Sequence, residues 1–221
     1  MVMVRLDPDD RVTRSTFDAV AEDYARLLSE SVTDEPLDRA VLAAFIELVK
    51  STGGGPVADV GCGTGRLTAQ LADADLDVLG LDLSEGMVRV GHAARPDLSF
   101  TVGHAAALPL RSGAVGGVMA WYSLINTRPD LIPSALAEFC RVLRPGGPLV
   151  LAFQSGQGER VDRETAYGHA LPITYFRHRV EDVTDAALAV GFRIYATVQR
   201  HPALPHETTP QVFILALRGD G

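Results

Sequence analysis

Apolar residues change their period several times along this chain, and each change marks a different element. Phe17, Val20, Tyr24 and Leu27 recur at three- and four-residue intervals, and Leu37, Val41, Ala44, Phe45 and Leu48 repeat the pattern. Two amphipathic helices are therefore predicted before residue 53. Asp34 with Pro36 supplies a start signal for the second, and Gly53-Gly54-Gly55-Pro56 breaks the chain after it. Short apolar runs then read as strands over residues 57–60, 77–81, 98–102, 115–122 and 149–153. Leu131, Leu136, Phe139, Val142 and Leu143 form the apolar face of a helix stopped by Pro145-Gly146-Gly147. Residues 156–178 are polar and irregular, with Tyr167, His169, Tyr175 and His178 among them. A connection this long is functional or mobile, and it leaves a strand's carboxyl end, from which it can reach a site. A helix over 180–190 and strands over 192–198 and 211–217 close the chain. Alternating strands and helices predict an α/β domain.

The turn after the first strand carries the chemistry. In V-A-D-V-G-C-G-T-G-R-L, from Val57 to Leu67, glycine recurs at alternate positions between an apolar run and a helix marked by Leu67 and Leu71. Such a unit presents backbone N–H groups to a nucleotide-like ligand, and glycine lets the ligand approach without meeting a Cβ. The dinucleotide fingerprint G-x-G-x-x-G needs its third glycine where Arg66 stands. Asp59, two positions before Gly61, repels a pyrophosphate and attracts an ammonium. Asp82 ends the second strand about twenty residues further on, where an acid accepts ribose hydroxyls.

D-x-G-x-G-x-G resembles motif I of the class I S-adenosylmethionine-dependent methyltransferases, whose cofactor carries a sulfonium, an α-ammonium and no phosphate. G-L-D-L-S-E-G-M, from Gly80 to Met87, and R-V-L-R-P-G-G, from Arg141 to Gly147, resemble later segments of that family in the same order and spacing. The resemblance covers most of the chain after Gly55. It implies a doubly wound, Rossmann-like sheet of seven mainly parallel strands, the last antiparallel, with helices on both faces and an N-terminal helical cap. The expected division is a cap over residues 1–55 and an S-adenosylmethionine-binding core over 56–221, within one structural domain.

The resemblance also assigns residues. Asp59, Gly61, Gly63, Gly65 and Asp82 are expected to hold the cofactor. Leu83 and Met87 flank the adenine, Met87 also reading as ordinary core. Tyr24 lies near the methionine end, or is simply a packed amphipathic residue. Where the family places Gly-Asp-Ala, this chain has Gly103, His104 and Ala105. The family's Asp accepts a hydrogen bond from the adenine amino group. A neutral His104 accepts one hydrogen bond and an imidazolium none. Alternatively His104 is a solvated loop residue and the backbone reads the base.

Trp121, Tyr122, Ser123 and Asn126 fall at the carboxyl end of the fourth strand, the edge where open α/β sheets bind ligands. Trp121 either borders the reacting methyl or packs in the core. Ala120-Trp121-Tyr122-Ser123 does not match the Asn/Asp-Pro-Pro-aromatic tetrad of DNA amino-methyltransferases. His169 and Tyr122 are the candidate general bases, with His104 third.

Composition narrows the reading. The chain has 221 residues, 47% of them hydrophobic, and a formal net charge of −8, so it lacks the basic footprint of a nucleic-acid binder. Cys62 and Cys140 show no metal or disulfide spacing, which suits a reducing, cytoplasmic setting. The N-terminus has no apolar signal region, and no apolar run is long enough to span a bilayer. The expected function is methyl transfer from S-adenosylmethionine to an O-, N- or C-nucleophile of a small molecule, by proximity and general-base assistance. The expected protein is a monomer or homodimer without nucleic-acid, membrane or metal partners. The alternatives are a non-methylating enzyme or a cofactor-binding regulatory protein on the same fold, and then a nicotinamide oxidoreductase.

Overall fold

The computed structural model describes residues 6–28, 35–205 and 207–220. Two helices precede the sheet, α1 (Pro8–Leu27) and α2 (Pro36–Ser51). Asp7 caps α1, its carboxylate accepting the Asp10 N–H at 2.8 Å, and Pro8 occupies the first turn, where no N–H is needed. Pro36 opens α2 in the same way. Asp34, the other half of the expected start signal, lies outside the described residues, and Glu35 caps α2 without a side-chain bond.

The core then alternates: β1 (Val57–Val60), α3 (Arg66–Asp73), β2 (Val78–Asp82), α4 (Glu85–Ala94), β3 (Ser99–Val102), β4 (Gly117–Trp121), α5 (Ile132–Val142) and β5 (Pro148–Gln154). There follow β6 (Arg160–Arg163), β7 (Ile173–Phe176), α6 (Val180–Ala189), β8 (Phe192–Arg200) and β9 (Gln211–Arg218). Seven strands form one sheet in the order β3-β2-β1-β4-β5-β9-β8. β9 alone runs antiparallel to the other six, between β5 and β8. This is the doubly wound, seven-stranded, mainly parallel sheet that the motifs imply. Val57 of β1 lies opposite Val78 on one side and Gly117 on the other, so the strand order reverses at β1. The crevice outside the carboxyl ends at such a reversal is the binding position of open α/β sheets.

Both faces of the sheet are covered, which is why its strands read as continuous apolar runs. Leu149, Leu151 and Phe153 of β5 pack with Leu136 and Phe139 of α5 and Val183 of α6. Val150 and Ala152 pack on the other face with Val41, Phe45 and Leu71 of α2 and α3. The N-terminal stripes are slightly rotated from expectation: Leu27 is 57% exposed and Leu37 37%, while Ala21, Leu42 and Val49 are buried. Residues 156–178, expected to be irregular, contain the antiparallel hairpin β6–β7, with Val161 opposite Tyr175. Its first strand is too polar to show alternation. Side-chain bonds reinforce it: Thr174 donates to Asp162 at 2.7 Å, and Arg160 donates to Thr174 at 3.2 Å.

Helix α1 turns one face, with Thr13, Phe17 and Tyr24, into the crevice. Its Asp18 carboxylate accepts the Ser84 hydroxyl at 2.6 Å and the Gly86 N–H at 2.9 Å, while Ser84 itself caps α4 by accepting the Met87 N–H. A carboxylate of α1 thus satisfies the N-terminus of α4 and favours its dipole. Among the described residues no helix is long and apolar enough to cross a membrane, and no three His, Cys, Asp or Glu side chains converge as a metal site.

Candidate active site

A cleft of about 340 Å³ opens at the carboxyl ends of β1, β2 and β4. That is the small end of the range for ligand pockets and suits small molecules. Its floor is the glycine turn. Gly61 has φ +73, and a Cβ there would lie 2.1 Å from the Ser123 Cβ. Gly65 has φ +80, and a Cβ there would lie 2.5 Å from the Phe100 ring. The turn therefore accepts no side chain at either position. Asp82, at the tip of β2, ties the turn in place: its Oδ2 accepts the Gly63 N–H and its Oδ1 the Ser84 N–H, each at 2.8 Å. Each oxygen keeps further acceptor capacity, and the residue lines the cleft. Burial pushes the Asp82 carboxyl up, opposed by those two N–H groups.

Asp59 is 2% exposed and lines the same end, its Oδ2 accepting the Thr68 hydroxyl at 2.6 Å. Burial raises its carboxyl to about 7 against the lowering effect of Thr68, and the Asp82 charge adds to the rise. Arg66, in the first turn of α3, also lines the cleft while one of its nitrogens donates to the Leu28 carbonyl. The roof is aromatic. Tyr24 lies over Gly63, with its ring 4.9 Å from Tyr167 and 6.1 Å from Phe17. Tyr24 thus lines the cleft and is packed at once. Tyr167 and Tyr175 come from the 156–178 connection, which reaches the site. Leu83, Met87, Ala105 and Trp121 line the cleft as well. Met87 is also core, buried against Val20 and Ala21, and Trp121 packs on Phe213 at 5.2 Å.

Three expectations meet contrary geometry. His104 lines the cleft, but both ring nitrogens are taken: Nδ1 accepts the Ala106 N–H at 3.1 Å, and Nε2 lies 3.1 Å from the Asp10 carboxylate of α1. The ring proton is therefore on Nε2, and no ring nitrogen is left to accept the adenine amino proton. His169 is not in the cleft; its Nε2 lies 2.6 Å from Asp23 on the flank of α1. Tyr122 is in the cleft, but burial pushes its phenol further up, away from any role as a base near neutrality. Its hydroxyl is buried without a partner, and so is that of Ser123. A buried unpaired hydroxyl costs about 1–3 kcal/mol, and Tyr122 adds the strain of φ +54.

The sequence reading missed the end of the cleft beyond Tyr122. Gln154 and Gln211, paired across β5 and β9, line it with Asp38, Leu204 and Glu207. Their positions, at strand tips, in the first turn of α2 and on a loop, carry no local pattern.

Residues 57–147 match the family model of the methyltransferase domain. The demethylmenaquinone methyltransferase of Beutenbergia cavernae is 38% identical over 152 residues, 69% of this chain and 62% of that protein. The chain thus spans less than two thirds of that relative. Among solved structures, the magnesium protoporphyrin IX methyltransferase of Synechocystis PCC 6803 with bound S-adenosylmethionine superposes with a TM-score of 0.71 at 19% identity, covering 99% of this chain and 100% of its own. The cyclase SpnF superposes with a TM-score of 0.69 at 18% identity, covering 99% of both chains, so the fold alone does not fix the reaction. By sequence match residues 57–147 are a methyltransferase domain, and the whole chain, with a sheet whose one antiparallel strand is β9, has the fold of the class I S-adenosylmethionine-dependent methyltransferases.

Proposed function

We propose that this chain transfers a methyl group from S-adenosylmethionine to a small molecule bound in the cleft. One observation carries the reading: a side-chain-free glycine turn, a carboxylate buried beneath it and a second carboxylate tied to it share one cleft. That set fits a ligand bearing ribose hydroxyls and an ammonium. Asp82 accepts the ribose hydroxyls, Asp59 faces the ammonium, and Arg66 faces the carboxylate of the methionine moiety. Gly61 and Gly63 permit close backbone approach, while Gly65, outside the cleft lining, turns the chain into α3 against Phe100. Leu83 and Met87 border the adenine, whose edge is read by the backbone around Ala105, with His104 shaping that loop. Trp121 borders the reacting methyl.

S-adenosylmethionine supplies a methyl group activated by a sulfonium leaving group. What the chain adds is alignment of nucleophile, methyl and sulfur, and exclusion of water, under the roof of Tyr24 and Tyr167. We read the protein as cytoplasmic and as a monomer or homodimer, without nucleic-acid or membrane partners. Its net charge of −8 supports the nucleic-acid part. Release of S-adenosylhomocysteine with a panel of small acceptors tests the reading. A second reading is cofactor binding without methyl transfer, favoured by the displacement of His169 and the high phenol of Tyr122. Cofactor binding with no release against any acceptor supports that alternative.

Two expected outcomes follow from the site. Because the Asp59 carboxyl lies at about 7, it is largely protonated below that pH, and an ammonium ligand must drive the proton off. S-adenosylmethionine affinity should therefore rise with pH up to about 7, below the α-amino group's own titration near 7.7–8.0. Binding should release a proton, read by calorimetry in buffers of different ionisation heat. Flat affinity and no proton release would remove Asp59 from the ammonium. For His169, whose partner is Asp23, alanine should leave turnover within about twofold between pH 6 and 8, since it removes only a surface pair. A loss beyond about tenfold at unchanged stability would return it to the catalytic set.

A further inference from the structure

The cleft continues beyond Trp121 to an end built mostly from outside the matched residues 57–147. Tyr122, Gln154, Gln211, Asp38 and Glu207 form it, and of these only Tyr122 falls within the match. Tyr122 is held at φ +54 with its hydroxyl buried and unpartnered, a cost that a hydrogen-bonding ligand would remove. Behind it, Arg200 donates to Asp38 at 2.8 and 3.1 Å and to Glu207 at 2.6 and 2.7 Å. The three side chains are 8%, 8% and 6% exposed. Two carboxylates against one guanidinium leave one negative charge in excess. Both carboxylates line the cleft and Arg200 does not. The charged groups acting on Tyr122 are these three.

The carboxylates of this end are already engaged: both Asp38 oxygens accept from Arg200. Burial holds the Tyr122 phenol protonated. Burial pushes Glu207 up, but bonds from Arg200 and the N–H groups of Ala203 and Leu204 outweigh it and hold the carboxyl at about 2. A nucleophile here must be active without first giving up a proton to the protein.

Resting on the proposed methyl transfer, we propose that this end of the cleft binds a small aromatic amine, whose nitrogen attacks as the free base. The nitrogen lone pair forms the bond to the methyl carbon, and the carbon–sulfur pair leaves with sulfur, which becomes a neutral thioether. The positive charge moves from sulfur to nitrogen, and the methylated ammonium then gives its proton to water. The excess negative charge of the wall stabilises charge arriving on nitrogen and repels a carboxylate or phenolate. The Tyr122 hydroxyl accepts an N–H of the amine and so aims its lone pair. Trp121 flanks the ring.

The test loads the full chain with S-adenosylhomocysteine and titrates aniline, toluene and benzoate, which share a ring and differ in charge and in N–H groups. Near neutral pH aniline is the free base; it should bind at least about tenfold tighter than benzoate, as one like charge against the wall predicts at a partly buried site, and tighter than toluene, which has no N–H for Tyr122. Tyr122→Phe, which keeps the ring, should weaken aniline and leave S-adenosylhomocysteine affinity unchanged. If S-adenosylhomocysteine itself fails to bind, the methyl-transfer reading falls and this inference with it. If it binds and the three probes are not discriminated, or none binds, this inference alone is overturned.

Discussion

Replacing Asp82 by alanine should weaken S-adenosylmethionine binding by about 10- to 100-fold, from the roughly 1.5–3 kcal/mol carried by hydrogen bonds to a charged group. The effect has two sources in the structure. On the proposed reading the carboxylate accepts the ribose hydroxyls, and in the structure it holds the N–H groups of Gly63 and Ser84 at 2.8 Å. Its loss removes ligand contacts and slackens the turn that approaches the ligand. Asp82→Asn separates these contributions. Its amide oxygen still accepts one N–H, so the turn stays partly anchored while the charge is gone. Calorimetry should rank affinity as wild type, then asparagine, then alanine. Equal affinities for all three, with the fold intact by circular dichroism, would take Asp82 out of the site.

The largest stability effect is expected at Arg200. Its side chain joins α2 to the loop before β9 through Asp38 and Glu207, all three nearly excluded from water. Arg200→Met keeps much of the volume but leaves two buried carboxylates facing each other. Breaking such a pair costs about 3–5 kcal/mol. At roughly 2–4 °C per kcal/mol for a chain of this size, Tm should fall by roughly 6–20 °C. Removing all three charges together with apolar or amide replacements should recover most of that loss. The pH dependence has a definite sign. The Glu207 carboxyl is held at about 2, below its ordinary 4.5. Its contribution is therefore full above pH 4.5 and is lost as pH falls through about 2. In Arg200→Met that contribution is absent, so the deficit against wild type is widest near neutrality and narrows in acid. An unchanged Tm at pH 7 would mean that the cluster is solvated.

Local chemistry is what made this chain legible. The alternating glycines and Asp59 are fixed by a strand, a turn and a helix start, with Asp82 at the tip of the next strand, and the structure brings Asp59, Gly61, Gly63 and Asp82 into one cleft, while Gly65 packs on Phe100. The doubly wound, mainly parallel sheet with its last strand antiparallel followed from a resemblance carried by three such local segments. Features that depend on distant partners were not readable. His104 is occupied by Asp10, 94 positions away, and His169 by Asp23, 146 positions away. Nothing local distinguishes a histidine aimed at a ligand from one aimed at a lid helix. The hairpin β6–β7 was hidden because its first strand, Arg160–Arg163, is mostly exposed and lacks apolar alternation. The acceptor end was hidden for a third reason. Arg200 and Asp38 are surface types by composition, and only the fold buries them 162 positions apart.

The central claim is that this cleft holds S-adenosylmethionine and not a dinucleotide. Titration calorimetry of the wild-type chain with each ligand tests it most directly. The glycine spacing, the Asp59 carboxylate beneath the turn and the Asp82 tether predict saturable binding of one S-adenosylmethionine per chain and no heat with NAD. Saturable NAD binding with no response to S-adenosylmethionine would contradict the account at its base.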